Sequence, residues 1–326
     1  MSDDRPAAGR PAIPESSISN RATHWQELWS DPHNDGEIMG GAAARPALEG
    51  IWRSFFELSG LGPDDCVLDT ASGTAPIARS AASLPAAARP RFICLDYAPA
   101  ALAAAREALG PSVLYCVGDA GRLPFANGSF AAVVSQFGLE YAGHGAFAAA
   151  AAQLRAGGRL CAVIHAAGGV IALESAASAS AVEAVLKAGL IRLTRETIAA
   201  SYDGGARGYV NRRKEAAFTR MLGDVRTYLV ASPPSAGRNI LVQYAADVER
   251  LAARRFAFAP EDALDWLRQV ERKLKAYVAR MQAMQAAARS RGDMEALCAN
   301  LAACGLADVG FEPVQFRAGE PQGAWM

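Results

Sequence analysis

The sequence predicts a doubly wound α/β fold interrupted by a large helical insertion, and three observations carry that expectation. Between residues 66 and 165, short apolar runs alternate with alanine-rich segments at a regular interval. From about Gly168 to Arg291 the strand pattern gives way to helical periods, and after that an alternating stretch returns. Of the 326 residues, 51% are hydrophobic, enough to fill one large core or one core with a subordinate lobe.

Residues 1–19 are rich in Pro, Ala, Ser and charge without an apolar period, which predicts a mobile tail. His24, Trp25, Leu28 and Trp29 then fall at helical spacing, and the run Asp31 to Gly36, with Pro32 and His33, breaks that helix. His24 and His33 are read as capping or surface residues of an N-terminal cover. A helix from about Arg45 to Leu58 leads into the alternation. Strands are predicted at Cys66–Leu68, Phe92–Leu95, Val113–Val117, Ala131–Ser135 and Arg159–His165, with helices at Ala98–Leu109 and Ala146–Leu154 between them. Strands separated by helices imply parallel pairing through right-handed crossovers.

In the insertion, Pro260 suits a first helical turn, and Ala263, Leu267, Val270, Leu274, Tyr277, Met281 and Met284 recur at steps of four and three. Such a stripe packs on its own lobe, with a homodimer seam or a substrate-facing lid as alternatives. Asp293 is placed to cap a short helix ending at Gly305, and Leu306–Phe316 alternates like a strand. The domain reading is therefore a tail at 1–19, an α/β domain with cap helices at 20–167, a helical insertion at 168–292, acting as acceptor lid or dimerisation lobe, and a closing helix and strands at 293–326.

Formal charge is zero, with 33 basic and 33 acidic residues. That balance opposes a general nucleic-acid binder, which needs excess Lys and Arg to neutralise phosphates. It hides an asymmetry, because residues 166–292 hold 20 Lys and Arg against 12 Asp and Glu; the excess could draw an anionic acceptor. No apolar run reaches the roughly 20 residues of a membrane helix, and no signal-peptide pattern opens the chain, so a cytoplasmic location without membrane partners is expected. The six cysteines form no Cys-x-x-Cys pair, so no metal site is predicted. Cys66, Cys94, Cys116 and Cys161 read as small apolar residues in or beside strands.

In a doubly wound sheet, ligands bind beyond the carboxyl ends of the strands. Asp69, Asp96 and Asp119 each follow an apolar run there, about one strand-helix-strand period apart. An acidic row on one edge suits a ligand with a cationic head and a ribose diol. The first loop, Asp69-Thr70-Ala71-Ser72-Gly73-Thr74-Ala75-Pro76, has small residues at 71, 73 and 75 that allow a sharp turn close to a bound molecule.

This loop resembles the first motif of class I S-adenosylmethionine (SAM) dependent methyltransferases, D-x-G-x-G-x-G, with Ala71 and Ala75 in place of the outer glycines. Leu95–Leu102 resembles the second motif of that family, Gly118–Phe125 the third, Ser129–Ser135 its fourth strand and Leu154–Leu160 the turn before the fifth. The likeness is to the ubiquinone and menaquinone biosynthesis type, over about residues 60–165. It implies a Rossmann-like seven-stranded sheet, with the insertion between the fifth strand and the last strands. It also implies SAM as cofactor, with Asp69, Ala71 and Gly73 at its methionine end, Asp96 and Tyr97 at the ribose, Asp119 and Ala120 at the adenine, and Ser135 alongside.

The stretch after the fourth strand shapes the acceptor pocket in this family, which implies Gln136, Phe137 and Tyr141 as lining residues. Trp25 is expected to cover them. Tyr141, His144 and His165 are the candidates for moving a proton, because phenol, amine and carbon acceptors gain from a base. The implied activity is methyl transfer to a small-molecule acceptor. Two other readings remain open: a SAM-fold enzyme with a changed reaction, such as a cyclase or decarboxylase, and a catalytically silent SAM-fold partner protein. A nicotinamide Rossmann enzyme is disfavoured because Pro76 removes an amide where a pyrophosphate needs one.

Overall fold

The computed structural model describes residues 25–26, 28–29, 41–143, 145–202, 212–317 and 322–326. The predicted tail, His24, His33 and His144 lie outside them.

Helix α1 (Gly41–Ser59) precedes β1 (Cys66–Thr70), α2 (Pro76–Ala82), β2 (Arg91–Asp96), α3 (Pro99–Leu109), β3 (Val113–Val117), β4 (Phe130–Gln136), α4 (Ala146–Ala152) and β5 (Leu154–His165). Pro76 and Pro99 each open a helix in its first turn, where the missing N–H costs nothing. The seven strands are ordered β3-β2-β1-β4-β5-β7-β6, with β6 (Pro313–Val314) and β7 (Ala324–Trp325) completing the sheet. β1 pairs in parallel with both β2 and β4, whereas β7 runs antiparallel to β5 and β6. The chain thus winds outward from β1 in one direction and then, from β4, in the other. The crevice opened by that reversal, at the carboxyl ends of β1 and β4, is where such sheets bind ligands.

Strand positions agree with the sequence reading to within a few residues, with one exception. Of the expected strand at Leu306–Phe316, only Pro313–Val314 pairs. Cap assignment also shifts by three residues: Ser290, not Asp293, is the N-cap of the helix at Arg291–Ala303, and Asp293 returns a bond to the Ser290 N–H in a reciprocal capping box. Of the cysteines, Cys94 is buried; Cys66, Cys116 and Cys161 are half-buried, and all are free thiols.

Helices α5 (Val170–Ala188), α6 (Leu190–Tyr202), α7 (Arg212–Ala231), α8 (Ala236–Ala253) and α9 (Pro260–Ala287) build a second core, with Val182, Leu190, Ile198, Leu222, Leu241 and Leu267 at its centre. The predicted stripe on α9 divides along its length. Ala263, Leu267 and Leu274 fill the lobe core, with Val270 and Tyr277 packed against it. Met284, and Met281 beside it, join the sheet core instead. One helix therefore belongs to both cores. The two ends of the insertion meet: Arg289 N–H donates to the His165 carbonyl at 2.7 Å, and Ala167 N–H to the Arg289 carbonyl at 2.8 Å.

Because Leu267 is fully buried at the centre of the lobe, Leu267→Ala should cost about 2–5 kcal/mol in urea unfolding followed by circular dichroism. A loss below about 1 kcal/mol would contradict a central place for α9.

Candidate active site

A cleft of about 800 Å³, counting its open mouth, lies at the topological reversal. Its walls come from the loop after β1, the end of β2, the end of β4 with the turn that follows, and the tryptophans near the N-terminus. Ala71, Gly73, Asp96, Tyr97, Gln136, Phe137, Tyr141 and Trp25 all line it. None of the described residues lining it comes from the helical insertion. The cover is aromatic and N-terminal: the Trp25 ring stands edge-on to Tyr141 at 5.5 Å. The Trp29 ring lies over Gly73, 3.2 Å from where a Cβ would sit.

The loop after β1 turns through three left-handed residues, Ala71 (φ 51°), Gly73 (φ 53°) and Ala75 (φ 57°). The two alanines replace glycine at positions where an L-residue is strained by about 1–2 kcal/mol. The fold holds them there by main-chain bonds. Ser72 N–H donates to the Leu95 carbonyl at 3.0 Å and Ala75 N–H to the Ser72 carbonyl at 2.8 Å. Gly73 N–H donates to Asp96 Oδ2 at 2.8 Å.

Asp96, 5% exposed at the end of β2, accepts with its other oxygen from Ala98 N–H at 2.8 Å. Burial pushes its carboxyl upward, opposed by the amides of Ala98, Gly73 and Tyr97. Asp69 differs. It is fully buried in β1, and neither carboxylate oxygen has a partner. Burial drives its pKa well above the ordinary range, the Asp96 charge adds to the rise, and Arg79 opposes it.

Across the cleft, Phe137 is a third strained residue (φ 53°), held by its N–H on the Val163 carbonyl. Gly138 follows because a Cβ there would fall 2.6 Å from the Ala71 Cβ and 2.9 Å from Ser135 Oγ. Gln136 is fixed by the buried indole of Trp52, whose Nε1–H donates to Oε1 at 2.6 Å. Since an indole only donates, the Gln136 amide orientation is set and its NH₂ is turned away from Trp52.

Ser135, read as a cofactor contact, is buried and off the cleft wall. Its hydroxyl donates to the Thr70 carbonyl at 2.9 Å and accepts from Leu139 N–H at 3.1 Å, tying β1 to the turn after β4. Asp119 and Ala120 lie past β3, outside the cleft lining; Asp119 Oδ1 accepts from Gly121 N–H at 2.8 Å.

His165, also off the lining, packs behind it, 4.4 Å from the Phe137 ring and 5.7 Å from the Tyr141 ring. The sequence reading missed its partner. Glu140, 4% exposed in the turn Leu139–Tyr141, brings Oε1 to 2.7 Å from His165 Nδ1 and accepts the His165 main-chain N–H on the same oxygen at 3.1 Å. An oxygen already accepting an amide assigns the ring proton to Nδ1. Glu140 Oε2, His165 Nε2 and the Tyr141 hydroxyl are all buried without a partner, and burial raises the Tyr141 pKa well above its ordinary value. Arg79 and Thr74 on the cleft wall were missed as well. No cluster of metal-ligating side chains occurs among the described residues.

Comparison with known proteins agrees with this geometry. Residues 67–158 match the family model of a methyltransferase domain. Over 80 residues the chain is 45% identical to demethylmenaquinone methyltransferases of Mycobacterium sp. strains KMS and JLS, covering 24% of this chain and 32% of each relative. The match therefore spans about a third of the length of those curated relatives. A solved structure of Haemonchus contortus phosphoethanolamine N-methyltransferase 1, in complex with phosphoethanolamine and S-adenosylhomocysteine, aligns at 16% identity over 48% of this chain and 34% of that one, with a TM-score of 0.38. Residues 67–158 are thus similar to a methyltransferase domain.

The buried Asp69 carboxyl has a consequence for stability. Folding keeps it protonated at pH values where the unfolded chain has ionised, so the unfolded state binds fewer protons and stability falls as pH rises above the ordinary Asp value of about 4. Asp69→Asn should therefore melt above the parent near about pH 8 without added ligand, the gap closing as pH drops toward about 4. Thermal unfolding across that range checks it, and a constant gap would refute the protonated assignment.

Proposed function

We propose that the chain transfers the methyl group of SAM to a small-molecule acceptor. The observation that carries the reading is Asp96, a nearly buried carboxylate ending β2 on the wall of the cleft, already bonded to the Gly73 amide. Each carboxylate oxygen has lone pairs to spare after one amide bond, so Asp96 can accept the ribose hydroxyls while holding the loop. Asp69, with two orphaned oxygens at the base of that loop, fits a cationic end of the cofactor. A dinucleotide fits poorly: the Ser72, Gly73 and Ala75 amides are spent within the protein, and Pro76 has none.

When bound, SAM supplies an activated sulfonium methyl for in-line displacement. What remains for the protein is alignment and exclusion of water. In this reading Ala71, Gly73 and Asp69 hold the methionine end, Asp96 and Tyr97 the ribose, and Asp119 with Ala120 the adenine. Gln136, Phe137 and Trp25 line the acceptor side, the Gln136 NH₂ offering a fixed donor to an acceptor oxygen. Tyr141, on the cleft wall, is the group offered to an acceptor proton, with the Glu140–His165 pair packed behind it.

Asp96→Asn tests the reading, since it keeps the shape but leaves one acceptor oxygen for two amides and the ribose. Its affinity for S-adenosylhomocysteine by calorimetry should fall by about tenfold or more. Radiolabelled methyl transfer from SAM into a metabolite extract should fall with it. Unaltered binding would remove Asp96 from the site, and a parent protein that binds the product yet transfers no label would favour a changed reaction or a silent partner.

A further inference from the structure

We propose that Arg79 receives the carboxylate at the methionine end of SAM, an inference that rests on the cofactor reading above. Among the described residues lining the cleft, Arg79 is the one cation and Asp96 the one acid. A zwitterionic amino-acid tail entering this cleft finds its carboxylate repelled at Asp96 and attracted at Arg79.

The usual alternative receptor for such an anion is main-chain N–H groups, and three of those in this loop are committed. Ser72 N–H bonds the Leu95 carbonyl, Gly73 N–H bonds Asp96, and Ala75 N–H bonds the Ser72 carbonyl. Helix α2 begins with Pro76, which has no N–H to offer. With those amides spent, a cationic side chain on the same wall is the complementary receptor.

Arg79 is built for that task. Its Nη1 donates to the Thr74 carbonyl at 2.7 Å and its Nη2 lies 3.4 Å from Thr74 Oγ1, so the guanidinium is anchored to the cofactor loop itself. A guanidinium carries five N–H donors. Two serve Thr74, and those left on the fork match the two oxygens of a carboxylate.

Calorimetry on the full chain with two probes tests this: S-adenosylhomocysteine, which has the amino-acid end, and 5′-methylthioadenosine, which shares the adenosine and thioether but lacks it. Arg79→Gln should lose about tenfold or more in affinity for S-adenosylhomocysteine and keep its affinity for methylthioadenosine. Arg79→Lys, retaining charge without the fork, should fall between. Retained binding of methylthioadenosine shows that the variant is folded. If Arg79→Gln preserves the parent's ratio of the two affinities, Arg79 does not hold the carboxylate. If the parent binds neither probe, the cofactor reading itself fails, a result distinguishable from the first.

Discussion

The site depends on one buried carboxylate that does two jobs. Asp96 joins the end of β2 to the loop after β1 through the Gly73 amide, and steadies the start of its own helix through the Ala98 amide. The Ser72 amide on the Leu95 carbonyl makes a second tie between the same two elements. The reversal between β1 and β4 opens a crevice; Asp96 decides the shape of the crevice wall. Its neighbour Asp69 has no such bonds, so burial raises both acids of this edge but only Asp96 has amides to oppose the rise.

Much of the local structure is held against its preference. Ala71, Ala75 and Phe137 occupy left-handed backbone, and Gly138 approaches Ala71 so closely that a methyl group would not fit. Such strain persists only where the surroundings over-determine it, and it gathers at binding sites. Here the surroundings are identifiable: Ser135 bridges β1 and the turn after β4, Trp52 holds Gln136, and Glu140 holds His165.

The α/β half was legible because its periodicity is a direct consequence of burial: strands such as β4, buried along nearly their whole length, read as continuous apolar runs. The insertion was legible through the loss of that pattern. The last strands were not, because two-residue pairings carry no period and the apolar residues Leu306, Val309 and Phe311 are used for packing against the sheet core rather than for pairing. Aspartates at strand ends follow from topology, and of the three named from the sequence Asp96 lies on the cleft wall. Ser135 was read as a cofactor contact because a serine at a strand end looks the same whether it faces ligand or backbone, and here its hydroxyl bonds the Thr70 carbonyl and the Leu139 amide. Glu140 and Arg79 were missed for a related reason: one lies in a turn and the other in the first turn of an alanine-rich helix, where an acid or a base is ordinarily solvated. A glutamate between Leu139 and Tyr141, in a stretch too apolar for a solvated loop, was the one available signal.

The most direct measurement is a crystal structure of the chain with S-adenosylhomocysteine. The account predicts electron density for the ribose against Asp96, with the Gly73 amide still on the same carboxylate, and the amino-acid tail running past Gly73 toward Arg79. Density lying away from the 71–74 loop and Asp96, or a nicotinamide nucleotide retained in that crevice, would contradict it.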